Sequence, residues 1–183
     1  MGKILIPLAE GFEEIEAVTN IDVLRRAGLD VITAGIGSKN IEGDHGIKVE
    51  ADTVISEIDT ADLDAVVLPG GMPGAANLRD SNELRNIIKK LNEENKLCAA
   101  VCAAPIVLEA AGILDGKKAT SYPGFDKDMP SCNYQEDRVV IDGNLITGRG
   151  PGVAVEFAMT LVEYLLDKET KEELQKSMLV KSN

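Results

Sequence analysis

The sequence predicts a doubly wound α/β fold, a mostly parallel sheet covered by helices on both faces. Two observations carry this prediction. Short apolar runs of strand length recur through the chain, and stretches with apolar residues at helical spacing separate them. No repeat, low-complexity tract or linker interrupts the alternation. With 183 residues and 44% hydrophobic content, a single domain, 1–183, with a sizeable core is expected.

In chain order, Lys3 to Pro7 reads as a strand and Leu8 to Gly11 as a loop. From Phe12 to Ala27 the residues Ile15, Val18, Val23, Leu24 and Ala27 recur at roughly helical spacing, and Gly28 suits a helix C-cap. Val31 to Ala34 is the next strand. The Gly- and Asp-rich stretch Ile36 to Asp52 alternates at Ile47, Val49 and Ala51, which suggests a β-excursion. Ala65 to Leu68 is a third buried strand that runs into Pro69-Gly70-Gly71-Met72-Pro73-Gly74. Ser81 caps a helix to about Glu94 with Ile87, Ile88 and Leu91 inward.

Leu97 to Ala111 begins as a strand and ends as a helix opening at Pro105, where a first-turn proline has no amide partner to lose. After Gly112 the pattern is less regular through Thr120 to Phe125 and the loop Asp128 to Tyr134. Arg138 to Ile141 and Leu145 to Thr147 predict a hairpin with a type I′ turn at Asp142-Gly143. Gly148 to Gly152 is a loop, Val153 to Leu166 a strongly apolar helix, and Lys168 to Val180 a final helix.

The formal net charge of −12 argues against nucleic acid or an anionic membrane surface as a partner, because phosphates repel such a surface. No apolar run approaches the roughly 20 residues of a transmembrane helix, and MGKILIPLAEG enters a strand without a signal peptide. Three cysteines cannot all pair within one chain, so free thiols in a reducing cytoplasm are expected.

Cys102 stands where strand turns into helix. Such a turn lifts a side chain above the sheet edge, the logic of a nucleophile elbow. It also sets the sulfur near unpaired amides at the positive end of a helix, which lowers a thiol's pKa. The bland alternative is one more small buried hydrophobe. Sites in doubly wound sheets form at the C-terminal strand ends, so the Leu8 to Phe12 loop, the PGGMPG loop and the Cys102 turn should meet. Glu13 and Glu14 read as first-turn acids that complement a helix dipole. Glu16 faces another way. Beside a thiolate its own pKa rises, by desolvation and like charge, which makes it a candidate proton carrier.

The Pro-Gly-Gly loop matches neither phosphate-binding pattern. It is either a tight turn or the donor of an oxyanion-hole amide, with Ala103 supplying a second. Cys98 reads as core, Cys132 as exposed, and His45 as a surface residue. No His/Cys/carboxylate spacing predicts a zinc site, so neither a metal nor a cofactor is expected.

Five segments are then recognisable together: EGFEEIEAV at Glu10 to Val18, DVLRRAG at Asp22 to Gly28, VVLPGG at Val66 to Gly71, AAVCAAP at Ala99 to Pro105 and GRGPG at Gly148 to Gly152. In this order they closely resemble the ThiJ/PfpI superfamily, in its DJ-one protein deglycase branch, near the bacterial YajL-like proteins. The resemblance covers nearly the whole chain. It implies a flavodoxin-like α/β sandwich, a homodimer and a reactive elbow cysteine at Cys102. It maps the acidic partner onto Glu16 and the oxyanion-hole amides onto Gly71 and Ala103. It also sets Arg26 and the Arg149-Gly150-Pro151 loop near the site or a dimer contact. Protease-like members carry a His directly after the nucleophile, where this chain has Ala103, so protease activity is not expected. Tyr122 stands where human-type members carry a His.

The resemblance implies a cofactor-independent cysteine glyoxalase or deglycase, acting on small α-oxoaldehydes or their adducts, with Cys102 as nucleophile and Glu16 moving the proton. A second reading, from a different class, is a redox-sensing, chaperone-like protein using oxidation of the same cysteine. A nucleotide-binding role lacks a phosphate motif. The helix Val153 to Leu166 is apolar on more than one face, so another element must cover it. With the implied contact near Arg26 and Gly148 to Gly152, a homodimer bordering the Cys102 pocket is expected.

Overall fold

The computed structural model describes residues 2–181. The chain opens with β1 (Lys3–Leu8), α1 (Glu14–Arg26) and β2 (Val31–Gly35), followed by a small antiparallel hairpin, β3 (Asn40–Glu42) with β4 (Lys48–Glu50), and the short β5 (Thr53–Val54). The second stretch is β6 (Leu63–Leu68), α2 (Gly74–Asp80), α3 (Asn82–Glu93), β7 (Leu97–Val101) and α4 (Pro105–Ala110). A parallel pair, β8 (Lys118–Ala119) and β9 (Asn133–Tyr134), lies outside the main sheet. Then come β10 (Val139–Asp142), β11 (Leu145–Gly148), α5 (Ala154–Leu165) and α6 (Lys168–Ser177).

Seven strands form one sheet in the order β10-β11-β7-β6-β1-β2-β5, parallel except at β10, where a hairpin turns the edge back. This is the doubly wound, flavodoxin-like arrangement. The period-two alternation of side chains divides the core cleanly. Ile4, Ile6 and Leu8 of β1, Ala65 and Val67 of β6, and Ala99 and Val101 of β7 pack with α1 and α5 on one face. Leu5, Val66, Leu68, Cys98 and Ala100 pack with α2, α3 and α4 on the other. Both faces are covered, so the central strands read as unbroken apolar runs. From β1 the chain moves outward to β2, whereas from β6 it moves the other way to β7. The crevice where those two directions part lies at the C-terminal ends of β1 and β6. Among the described residues no helix is long and apolar enough to cross a membrane.

Several expectations need correction. The inward face of α1 carries Glu14, Glu16, Ala17, Asn20, Val23 and Leu24, whereas Ile15 and Val18 are 58% and 48% exposed. Of the apolar residues at helical spacing, Val23 and Leu24 are buried as a packed face requires, whereas Ile15 and Val18 are not. The helix α2, following the PGGMPG loop, carried no clear sequence signal. In the β10–β11 hairpin Asp142 pairs with Leu145, so the turn is Gly143-Asn144, and of these two only Gly143 has a positive φ (64°). That excludes type I′, which needs a positive φ at both central residues. The apolar α5 is covered within the chain by α1, α6 and the sheet, so its composition by itself requires no second copy.

Candidate active site

The site grows from three strand ends. β7 ends at Val101, and the next residue, Cys102, takes φ = 62°, a left-handed conformation that costs a non-glycine residue energy. Hydrogen bonds hold the turn on each side. The Cys102 amide donates to Gly148 O at the end of β11 (2.9 Å), the Tyr122 amide donates to Cys102 O (2.9 Å), and the Ala104 amide donates to Val101 O (3.0 Å). The sulfur is thereby lifted out of the sheet toward α1, with the residue only 9% exposed. The amides of Gly71 and Ala103 face it and favour its charged form.

Glu16 comes from the first turn of α1 and is fully buried. Its Oε2 accepts the Gly70 amide at 2.8 Å. Its Oε1 accepts no well-formed hydrogen bond, which leaves the Cys102 thiol as the polar neighbour of that carboxyl. The Pro-Gly-Gly loop has to be glycine for this approach. A Cβ on Gly70 would lie 2.7 Å from both Cys102 Cβ and Glu16 Oε2. On Gly71 (φ = 90°) it would lie 2.4 Å from the Glu13 amide nitrogen. Thus Gly71 faces the sulfur with its amide while its Cα supports the start of α1. The structure brings all four candidates, Cys102, Glu16, Gly71 and Ala103, to one point.

Electrostatics sharpen the picture and correct one expectation. Burial pushes the Glu16 carboxyl up to about 7, against the pull of the Gly70 amide and the Cys102 thiol. Burial, then the Glu16 charge, push the Cys102 thiol up to about 12, although the Ala103 and Gly71 amides pull it down. The helix dipole therefore does not win. α4 is only six residues long, and Cys102 precedes its N-cap Ala104 by two residues. Burial of the sulfur, and then the carboxylate beside it, outweigh so short a helix. Both shifts favour the protonated forms, and Glu16 is the group placed to exchange a proton with the sulfur.

The neighbouring acids behave differently from one another. Glu13 caps α1, accepting the Glu16 amide on Oε2 at 2.7 Å. Glu14, buried as well, reaches across to the β3–β4 turn. Its Oε1 accepts the His45 amide (2.7 Å) and its Oε2 lies 2.8 Å from His45 Nδ1. Glu13, Glu14 and His45 thus bring donor atoms within 4.8 Å of one another, a constellation that local spacing could not announce because His45 lies 31 residues away. Both Glu14 oxygens and one Glu13 oxygen already accept hydrogen bonds, so the cluster reads as a clasp for the hairpin rather than as a metal centre.

Tyr122 borders the site through its backbone, and its half-exposed ring lies against Gly150, where a Cβ would come within 3.1 Å of Cδ2. Arg26 pairs with Asp22 on α1, and Arg149 bonds to Glu136 O. Neither reaches the sulfur pocket through those contacts. Cys98 is core, as expected. Cys132 is half-buried, not exposed, and its thiol donates to Met129 O at 3.3 Å while it packs against the core on the opposite face of the sheet from Cys102.

Residues 2–164 match the family model described as DJ-1/PfpI family. The chain belongs to the DJ-1/PfpI family. Protein DJ-1 homolog A of Arabidopsis thaliana is 44% identical over 184 residues, covering 98% of this chain and 47% of the relative, so this chain spans about half of that protein. A Pyrococcus abyssi relative named Deglycase PYRAB04690 is 35% identical over 152 residues, covering 82% of this chain and 91% of its own length. Among solved structures, that titled Toxoplasma gondii DJ-1, oxidized, superposes with a TM-score of 0.93 at 40% identity, covering 98% of both chains. These likenesses to DJ-1/PfpI proteins extend over strands, helices and the three loops of the candidate site alike.

The raised Glu16 value has a consequence for stability. Its folded pKa of about 7 lies above the ordinary glutamate value of 4.5, so burial costs nothing while the group is protonated, below 4.5. The penalty grows between 4.5 and 7 and is complete above 7, where it reaches on the order of 3 kcal/mol. Glu16→Gln is therefore expected to stabilise the protein at pH 8 and to change it little at pH 4.5. Denaturant unfolding at the two pH values measures this; an equal effect at both would contradict the buried, uncompensated carboxyl.

Proposed function

We propose that the protein is a cofactor-independent, cysteine-dependent glyoxalase or deglycase acting on small α-oxoaldehydes or their adducts. The observation that carries this reading is the coupled pair itself: a thiol that two amides address, beside a carboxyl whose proton affinity lies near neutrality. The printed name of the Pyrococcus abyssi relative supports the same reaction class.

Glu16 carboxylate takes the Cys102 proton as the sulfur attacks the aldehyde carbon. The C–S bond forms and the carbonyl electron pair moves to oxygen, where the Gly71 and Ala103 amides meet the developing charge. Glu16 returns the proton to that oxygen and then removes the hydrogen on the same carbon while the neighbouring ketone oxygen takes up a proton, giving an enediol. Glu16 next delivers its proton to the former ketone carbon as the first carbon's hydroxyl gives up the proton that balances the one the ketone oxygen received. The hemithioacetal becomes a thioester of a 2-hydroxy acid. Water then breaks the C–S bond, releasing the acid and the thiol. No external oxidant or reductant is needed, because one carbon is oxidised while its neighbour is reduced.

Purified protein with methylglyoxal is expected to produce lactate, Cys102→Ser none above a thiol-free blank, and Glu16→Gln at least about 100-fold less, the usual scale for a positioned proton carrier. Lactate at equal rates from wild type and Cys102→Ser would overturn the reading. Activity should rise from pH 5 to 8 as Glu16 ionises.

One observation favours a second use of the same residues. Glu16 is poised to hold a proton, so it can donate a hydrogen bond to an oxidised Cys102, and a relative has been solved in an oxidised form. Under mild peroxide, intact mass is expected to show two added oxygens located at Cys102, with Glu16→Gln over-oxidising or gaining none. A wild-type protein that stays unmodified there is no sensor of this kind.

The molecule is further proposed to work as a homodimer. Ile15 and Val18 expose apolar surface on α1, and Ile15 lines a cavity of about 770 Å³ with Val155, Met159 and Val180. A second copy over this face would cover surface otherwise left in water. Sedimentation at micromolar concentration is expected to give a dimer, and Ile15→Lys to shift it toward monomer. A wild-type monomer that remains fully active would show that one chain completes the site.

A further inference from the structure

Glu13 appears above only as the cap of α1, yet its bonds tie it to the groups that carry the proposed chemistry. The Glu13 amide donates to Gly70 O at 2.9 Å. The Gly70 amide donates to Glu16 Oε2 at 2.8 Å, and the Glu16 amide donates to Glu13 Oε2 at 2.7 Å. These three bonds close a ring that joins the start of α1 to the loop after β6. The ring has no slack, since a single Cβ on Gly70 or Gly71 would collide with Glu16 or Glu13.

Capping alone does not explain a glutamate here. Ser, Thr, Asp and Asn cap better, with shorter side chains that surrender less rotamer freedom. Glu13 is 8% exposed, and among the described residues no Lys or Arg pairs with it. The titratable groups that act on Glu16 are Cys102, from the turn between β7 and α4, and Glu13, from its own helix. Glu14 and His45 are paired with each other across the hairpin. The Glu13 carboxylate is therefore the one charge beside Glu16 that can oppose its ionisation without itself joining the reaction.

We propose that Glu13 is a positioning residue for Cys102 chemistry: through the closed ring its carboxylate holds Glu16 against the sulfur. This rests on the reading of Glu16 as the acceptor of the Cys102 proton. Two separable roles follow. The oxygen of residue 13 fixes geometry, and the charge of residue 13 sets when Glu16 accepts a proton.

The test is the pH dependence of Cys102 alkylation by iodoacetamide, located by peptide mass, in wild type, Glu13→Gln, Glu13→Ser, Glu13→Ala and Glu16→Gln. It needs no substrate, so it is independent of the glyoxalase assay. The wild-type rate is expected to rise through a midpoint near 7, where Glu16 ionises. Glu13→Gln keeps an oxygen for the Glu16 amide, so its plateau should hold while the midpoint falls by about half a unit. Glu13→Ser, a strong cap without charge, should show the same lower midpoint in a fold of normal melting temperature. Glu13→Ala should lower the midpoint and reduce the plateau several-fold. Midpoints unchanged in Gln, Ser and Ala, with only melting temperatures altered, would overturn the proposal and leave Glu13 a cap. If Glu16→Gln keeps the wild-type step, the pairing of Glu16 with Cys102 is wrong and the role of Glu13 falls with it.

Discussion

A carboxyl and a thiol share one dry pocket, and the pocket admits only one negative charge comfortably. Taking Glu16 out of water raises its proton affinity to the neutral range, and its charge in turn holds the proton on Cys102. The pair works as a unit because each group's state depends on the other. Nearby structure serves that dependence. The left-handed turn at Cys102 aims the sulfur, the two glycines let the loop touch it, and the first turn of α1 brings the carboxyl. Moving any of the three would leave a buried polar group with no partner.

The arrangement costs stability that the rest of the fold must supply. Cys102 holds an unfavourable φ, and Glu16 Oε1 and Asn20 Oδ1 are buried on α1 without a well-formed hydrogen bond. Each such atom costs about 1 to 3 kcal/mol. What offsets this is the double core. Side chains of β1, β6 and β7 alternate between two clusters, so each central strand contributes to both sides of the sheet at once. The strand ends inherit that rigidity. An elbow at the end of β7 is held between β6 and β11, which leaves its φ little room to relax.

Most of the sheet was legible in the sequence because strands buried on both faces show as bare apolar runs such as Leu97–Val101, and because Ser81 and Pro105 mark helix starts by local chemistry. The convergence of Cys102, Glu16, Gly71 and Ala103 was legible too, through the resemblance and the strand-end rule. The inner face of α1 was not. Its buried stripe carries Glu13, Glu16 and Asn20 at the end nearest the site, while Ile15 and Val18 point outward, so an apolar-period argument finds Val23 and Leu24 but fails at the helix's first half. Sequence rules fail at this helix because polar groups stand where packing would place apolar ones. The direction in which the fold pushes the Cys102 thiol was not legible for a related reason. The helix behind Cys102 is visible in the sequence, but the carboxylate opposing it arrives from 86 positions earlier in the chain (102 − 16) and only the fold brings it near. The Glu14–His45 clasp escaped notice in the same way.

The two sides of α1 cannot be independent. Ile15 and Glu16 are consecutive residues, one facing out of the molecule and the other into the sulfur pocket. The helix between them is short, and its first turn is fixed by the Glu13 cap and the Gly70 amide. A rigid-body shift of α1 by a few tenths of an ångström would therefore move the carboxyl by as much as it moves the outer face. Hydrogen bonds to a carboxylate weaken steeply over such distances, whereas apolar contacts between side chains tolerate them. The inner contacts thus set where the helix sits, and the outer surface has to accept that position. Any partner seated over Ile15 and Val18 meets a face whose placement the chemistry of Cys102 has already determined.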